Sequence, residues 1–165
     1  MLADIPENRL TEAIIQSAIE VHRTLGPGLK EEVYEAALAL ELGWKGIACK
    51  RQVPVRVVYK GVDIGDPEHP KRIDLLVEDS IVVECKALAS ALEPVFKAQC
   101  LTYLKMTGKR VGLVLNFWRP TIREGIGRVF NETREESRAR LARENPEVLK
   151  RVLEEEDGKF AGDGC

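Results

Sequence analysis

The chain lacks the cysteine and histidine patterns that hold structural metals. Its 165 residues include four cysteines and two histidines. The cysteines form no C-x-x-C pair, and no histidine lies at zinc-ligand spacing from them. A structural zinc or an iron–sulfur cluster is therefore not expected. Reduced thiols are expected instead, because we place the protein in the cytoplasm.

The sequence also lacks a long apolar run and a strong net charge. No stretch approaches the roughly 20 apolar residues of a membrane helix, and residues 1–10 do not have the pattern of a secretory signal. We therefore expect a cytoplasmic protein without a membrane partner. The formal net charge of −2 provides no general attraction for nucleic acid, so contact with DNA would need a local basic patch. The candidate phosphate contacts are the pairs Lys50-Arg51 and Lys71-Arg72.

Charge is distributed unevenly along the chain. Residues 132–165 hold ten acidic and seven basic residues and few large apolar ones, whereas the remainder is close to neutral. A chain of this length is suited to one domain with a proper core. We therefore predict a domain at 1–131, followed at 132–165 by a charged helical appendage whose last residues, 157–165, form a flexible, disordered tail.

Apolar periodicity predicts an α/β domain with a mixed sheet flanked by helices. The predicted helices cover 8–25, 30–45 and 93–107. The predicted strands cover 53–59, 71–77, 80–86 and 110–117, with a further edge strand at 122–130. Residues 60–70 are rich in turn formers. The order is thus ααβββαβ(β), followed by the helical appendage.

Two of these strands carry a pattern of charged residues with chemical meaning. Side chains two apart on a strand share a face, so Glu84 and Lys86 point the same way and Cys85 points opposite. A tight turn at 78–80 would pair the strands and bring Asp74 to Glu84. Carboxylate oxygens suit Mg²⁺ (or Mn²⁺), which activates water for attack on phosphate. A surface ion-pair cluster is the alternative, but the apolar surroundings favour a functional site.

Further motifs give these residues a family context. Gly28, Glu31 and Tyr34 match G-x-x-E-x-x-Y, and Gln99-x-x-x-Tyr103 follows later in the chain. Together with the E-x-K strand and the flanking segments, the region 8–131 resembles the GxxExxY protein family, part of the PD-(D/E)XK nuclease superfamily. The resemblance implies a restriction-endonuclease-like core and a Mg²⁺-dependent nuclease acting on DNA.

The resemblance also implies roles for individual residues. Asp74 and Glu84 resemble the metal-binding carboxylates, Lys86 the catalytic lysine, and the backbone carbonyl of Cys85 a further metal ligand. Glu31 resembles a helix glutamate that joins the catalytic metal site. The residues predicted to contact substrate are Gln99, Tyr103 and Tyr34, although spacing alone leaves Tyr34 open as a core tyrosine.

Two departures and several alternatives accompany the resemblance. Ile73 stands where the superfamily pattern has proline, and residues 65–72 form a longer connection than is usual in the family. A non-cleaving module that binds nucleic acid or protein on the same fold is the alternative function. An assembly protein that acts through its helical tail is a third. The choices between DNA and RNA and between monomer and homodimer stay open.

Overall fold

The computed structural model describes residues 7–89 and 94–160. The chain divides after Asn131 into two compact units. Within the described ranges, no helix combines the length and apolar character required to cross a bilayer. Among the described residues, Cys49, Cys85 and Cys100 form no disulfide.

Two helices precede the sheet. Helix α1 covers Glu7–Leu25 and helix α2 covers Glu31–Trp44. The chain reverses between them at Gly26 and Gly28, whose φ angles are 68° and 103°, a conformation that glycine adopts without steric cost. Helical spacing of the apolar residues gives α1 one buried face. That face includes Leu10, Ile14, Ala18 and Val21.

Among the described residues, five strands form one mixed sheet in the order β1-β4-β5-β6-β7. These strands are β1 (Cys49–Val55), β4 (Lys71–Val77), β5 (Ile81–Lys86), β6 (Val111–Asn116) and β7 (Ile126–Phe130). Strands β5 and β6 are parallel and the other neighbours are antiparallel. The parallel pair requires a crossover, which contains helix α3 (Pro94–Thr107). The predicted mixed α/β fold is thereby confirmed.

Several predicted boundaries differ from the structure. The first strand begins earlier than predicted and ends at Val55, after which β2 (Val58–Tyr59) and β3 (Val62–Asp63) form a separate hairpin. Its turn residues, Lys60 and Gly61, both have positive φ, which suits a tight two-residue turn. A 3₁₀ turn at Ile122–Gly125 replaces the first part of the predicted strand 122–130. Residue 93, the predicted start of the third helix, lies outside the described residues.

The core has one apolar cluster on each face of the sheet. Alternation along β5 sends Val83 and Cys85 into the cluster formed with α1 and α2, and Val82 into the cluster formed with α3. A Cβ added at Gly112 would lie 2.5 Å from Cys100 Sγ, so glycine lets α3 approach β6 closely. Each large side chain buried in this way contributes about 1.5–3 kcal/mol. Strands β4 and β5 are therefore held firmly in the layer between the helices.

The second unit is helical. Helix α4 (Arg134–Glu144) begins with a capping box between Thr133 and Glu136, and helix α5 covers Pro146–Phe160. None of the described residues of α4 is buried. The helical character agrees with the prediction from sequence. Of the tail predicted at 157–165, residues 157–160 lie in α5, and 161–165 lie outside the described residues.

Candidate active site

The carboxylates of Asp74 and Glu84 meet across two antiparallel strands. The register that pairs Leu75 with Val83 places Asp74 opposite Glu84. The backbone N–H of Asp74 donates to Glu84 Oε1 at 3.4 Å, and the backbone N–H of Cys85 donates to Asp74 Oδ2 at 2.8 Å. Both carboxylates thus lie beside the last residues of β5.

Lys86 supplies the positive charge next to this pair. Its Nζ lies 3.7 Å from Glu84 Oε2, and the lysine side chain is only 12% exposed. The ammonium also lies 5.5 Å from the centre of the Phe96 ring, so helix α3 covers this face of the strand. The side chain of Cys85 points to the opposite core, as strand alternation predicted.

Burial and mutual repulsion control the protonation of the two carboxylates. Burial raises the pKa of Glu84 to about 8, with a further rise from the charge of Asp74, while Lys86 opposes both effects. Burial also raises the pKa of Asp74, while the hydrogen bond from the Cys85 N–H and the charge of Lys86 act to lower it. Two carboxylates therefore face one ammonium in a site that is poorly solvated. A further cation would remove this imbalance.

Glu31 reaches the same end of β5 from helix α2. Its Oε1 accepts a hydrogen bond from the backbone N–H of Ala87 at 3.2 Å, and its charge contributes to the raised pKa of Asp74. Glu31 therefore fixes the chain directly after Lys86. Within residues 7–89 and 94–160, no group of three or more His, Cys, Asp or Glu side chains is arranged to hold a metal ion.

The oxygen donors that are present nevertheless fit a hard divalent cation. Asp74 and Glu84 offer carboxylate oxygens, and Mg²⁺ is commonly held by one or two carboxylates while it keeps several waters. The buried carboxyl group of Glu84 beside Asp74, with the Lys86 ammonium 3.7 Å away, is the observation that supports this fit. The two carboxylates and the Cys85 carbonyl form the candidate donor set.

Gln99 and Tyr103 lie one turn apart on helix α3. Gln99 Nε2 donates to the Tyr103 hydroxyl at 3.1 Å. Burial raises the pKa of Tyr103, the hydrogen bond from Gln99 opposes this, and Glu84, Lys86 and Asp74 make lesser contributions. The tyrosine is therefore within electrostatic reach of all three site residues. Gln99 is exposed, so its amide is accessible.

Tyr34 occupies a different place from the one predicted. Its side chain is fully buried, and its ring stacks on Phe117 with centroids 4.5 Å apart. The hydroxyl donates to the carbonyl of Gly26 at 2.6 Å and accepts from the N–H of Leu29 at 3.1 Å. The substrate contact predicted for Tyr34 is corrected accordingly, because ring and hydroxyl are engaged in holding the α1–α2 connection.

Three residues around the site were not predicted from the sequence. Asn116, at the end of β6, accepts from the Leu88 N–H at 3.0 Å and donates to the Leu88 carbonyl at 2.9 Å, so it holds the segment after β5. Glu35 and Gln52 form a network that reaches Asp74. Glu35 could have been found from the sequence, because it lies four residues after Glu31 and therefore on the same helix face.

Comparison with known proteins agrees with the fold. A family model of the PD-(D/E)XK nuclease superfamily matches residues 8–129. The chain belongs to the PD-(D/E)XK nuclease superfamily. No curated protein and no solved structure gives a significant match to it.

Proposed function

We propose that this protein is a Mg²⁺- or Mn²⁺-dependent nuclease that hydrolyses phosphodiester bonds of DNA. The observation that carries the proposal is the pair Asp74–Glu84 on adjacent strands, in which Glu84 is buried and Lys86 lies beside it. Membership of a nuclease superfamily supports the same reaction class. Within the superfamily, the G-x-x-E-x-x-Y residues favour the GxxExxY family.

Asp74, Glu84 and the backbone carbonyl of Cys85 are the proposed ligands of the divalent cation. When bound, the cation would polarise the phosphate and activate water for attack. Its charge would also offset the burial and the repulsion from Asp74 that raise the pKa of Glu84. Glu31 supports this arrangement by holding Ala87, one residue beyond Lys86.

Lys86 is the proposed catalytic lysine. Packing against Phe96 and low exposure hold its ammonium near Glu84 instead of in bulk water. A cation in such a poorly solvated place interacts strongly with negative charge that develops on phosphate oxygens during attack. Lys86 therefore acts mainly on the transition state, whereas the carboxylates act already in the resting complex.

Gln99 and Tyr103 are the proposed substrate contacts on α3. The exposed Gln99 amide offers donors to a phosphate or a base, and Tyr103 orients it through the hydrogen bond between them. Of the basic pairs, Arg51 is engaged with Glu35 and Arg72 with the backbone of Gln52. Lys50 and Lys71 are exposed and are therefore the better candidates for phosphate contact.

The test is direct. Purified protein is incubated with linear, circular, single-stranded and branched DNA and with RNA, with Mg²⁺, with Mn²⁺, and with EDTA. Cleavage of DNA that requires the metal and is lost in Lys86→Ala supports the proposal. Cleavage that survives exhaustive chelation contradicts it. Metal binding without cleavage of any substrate would favour a non-cleaving binding module instead.

A further inference from the structure

A buried carboxylate lies behind the site and has no part in the function proposed above. Glu35 is 4% exposed and lies on α2, one turn after Glu31. Its Oε1 accepts from Arg51 Nε at 2.9 Å, and its Oε2 accepts from Gln52 Nε2 at 2.8 Å. Neighbouring residues of a regular strand point to opposite faces, so a regular β1 would not present both partners to one carboxylate.

An unusual backbone conformation at Gln52 resolves this conflict. Its φ angle is 52°, in the left-handed region that side chains other than glycine seldom adopt. The register is continuous on both sides, with Arg51 paired to Leu75 and Val53 paired to Ile73. The distortion is therefore confined to the one residue opposite Asp74.

Hydrogen bonds hold Gln52 in this conformation from two directions. Its backbone carbonyl accepts from Arg72 Nη1 at 3.0 Å, and its side-chain amide donates to Glu35. The same amide nitrogen lies 3.5 Å from Asp74 Oδ1. An amide nitrogen carries two N–H groups, so one group can serve Glu35 while the other serves Asp74.

Asp74 is consequently held on both of its oxygens. The backbone N–H of Cys85 donates to Oδ2 at 2.8 Å, and Gln52 donates to Oδ1. A glutamate at position 52 would place a third carboxylate between Glu35 and Asp74. An aliphatic residue would leave both carboxylates without this donor. Glutamine provides donors without adding charge.

We propose that Gln52, anchored by Glu35 and held in a left-handed backbone conformation, is a positioning residue that fixes the carboxylate of Asp74. Its task in catalysis rests on the proposed nuclease function. The positioning itself is a property of the metal-free protein. Strained backbone residues are concentrated at functional sites, where the surrounding contacts maintain them.

The first test uses metal-free protein and hydrogen exchange measured by NMR. In Gln52→Gly the side chain is lost, while glycine accepts the positive φ, so the fold is retained. Lys60→Gly is the matched control, because Lys60 also has positive φ, of 49°, but lies in the β2–β3 turn. The amide of Cys85, which donates to Asp74, is expected to exchange at least about tenfold faster in Gln52→Gly than in wild type. In Lys60→Gly its exchange should be unchanged.

The second test measures metal affinity and turnover. Gln52→Gly is expected to bind Mn²⁺ about tenfold or more weakly than wild type, the usual scale for a lost outer contact to a metal ligand. We expect a lower kcat with little change in KM for DNA. Lys60→Gly should match wild type in both measurements.

The outcomes separate the two proposals. Unchanged exchange at Cys85 in Gln52→Gly overturns the positioning role, as does equal acceleration across all of β1 and β4, which would indicate a merely structural role. If wild type neither binds Mn²⁺ nor cleaves DNA, the nuclease proposal fails. The exchange experiment still decides the role of Gln52 in that case.

Discussion

The two units of the chain place a glutamate in different electrostatic surroundings. In the second unit, Glu132 accepts hydrogen bonds from Nε and Nη2 of Arg140, which also pairs with Glu144. In the first unit, Glu84 is 2% exposed and has Lys86 at 3.7 Å. The hydrogen bond from Arg140 lowers the pKa of Glu132, whereas burial raises the pKa of Glu84.

This contrast shows which charges indicate function. A carboxylate that is paired with a guanidinium, as Glu132 is with Arg140, has its charge compensated within the structure. A carboxylate that is buried beside another carboxylate costs free energy, and its retention requires a compensating use. The count of charged residues therefore says little, while their burial in the sheet indicates the site. The following changes test that difference.

The largest expected effect comes from Lys86→Ala. The chemical step should slow by about 10² or more, while Mn²⁺ still binds, because both carboxylates remain. Single-turnover cleavage and isothermal titration measure the two quantities separately. Lys109→Ala is the control, since it removes a lysine that pairs with Asp79, and it should leave the rate unchanged. Full activity of Lys86→Ala would falsify the catalytic role.

A second large effect concerns the proton that Glu84 should release when metal binds, which Glu84→Gln would abolish. With a pKa of about 8, Glu84 is mostly protonated at pH 7 in the metal-free protein, so metal binding should release roughly one proton. Below pH 8, the Mn²⁺ affinity should rise by up to about tenfold per pH unit. Titration in two buffers with different ionisation enthalpies measures the release. Glu84→Gln should bind metal more weakly and release no such proton. Equal proton release by wild type and Glu84→Gln would refute this assignment.

The third effect is on the stability of the metal-free protein. The pKa of Glu84 is about 8 when folded, above its ordinary value of 4.5, so between these values the folded state binds a proton that the unfolded state has lost. The free energy of unfolding should therefore fall as pH rises from about 4.5 to about 8, by a few kcal/mol at most. Urea unfolding across this range measures the slope.

Two variants test the origin of that slope. Glu84→Gln should flatten it and should be more stable than wild type near pH 8, although its activity is lower. Glu132→Gln should leave the slope unchanged, because the pKa of Glu132 is lowered and this carboxylate is ionised in both states over the same range. A slope that persists in Glu84→Gln would assign the effect to another group.

The central geometry of the site could be predicted from the sequence because it depends on local rules. Strand alternation places Glu84 and Lys86 on one face, and a tight turn sets the register with Asp74. The turn residues Glu78 and Asp79 indeed have positive φ. These rules require no knowledge of distant packing.

The remaining features depend on contacts that are distant in sequence. Strands β2 and β3 are two residues long, which is too short for an alternation of apolar and polar residues to be visible in the sequence. Helical spacing put Tyr34 near Glu31 but could not show that its ring turns toward Phe117. The left-handed conformation of Gln52 is maintained by Glu35 and Arg72, from two other elements, and no local pattern indicates it.

The smallest expected effect comes from removing residues 132–165. Arg140 forms ion pairs with Glu132 and Glu144 of the same unit, and α4 buries none of its described residues. A chain that ends at Asn131 should therefore unfold cooperatively, with a free energy of unfolding within about 1 kcal/mol of the full-length value and unchanged Mn²⁺ affinity. Urea unfolding followed by circular dichroism and by tryptophan fluorescence tests cooperativity, because Trp44 and Trp118 both remain.

Non-coincident transitions, or a large loss of stability, would mean that the charged unit packs on the sheet or on a second copy of the chain. Sedimentation of both lengths distinguishes these two explanations, since only the second predicts a change in mass with concentration.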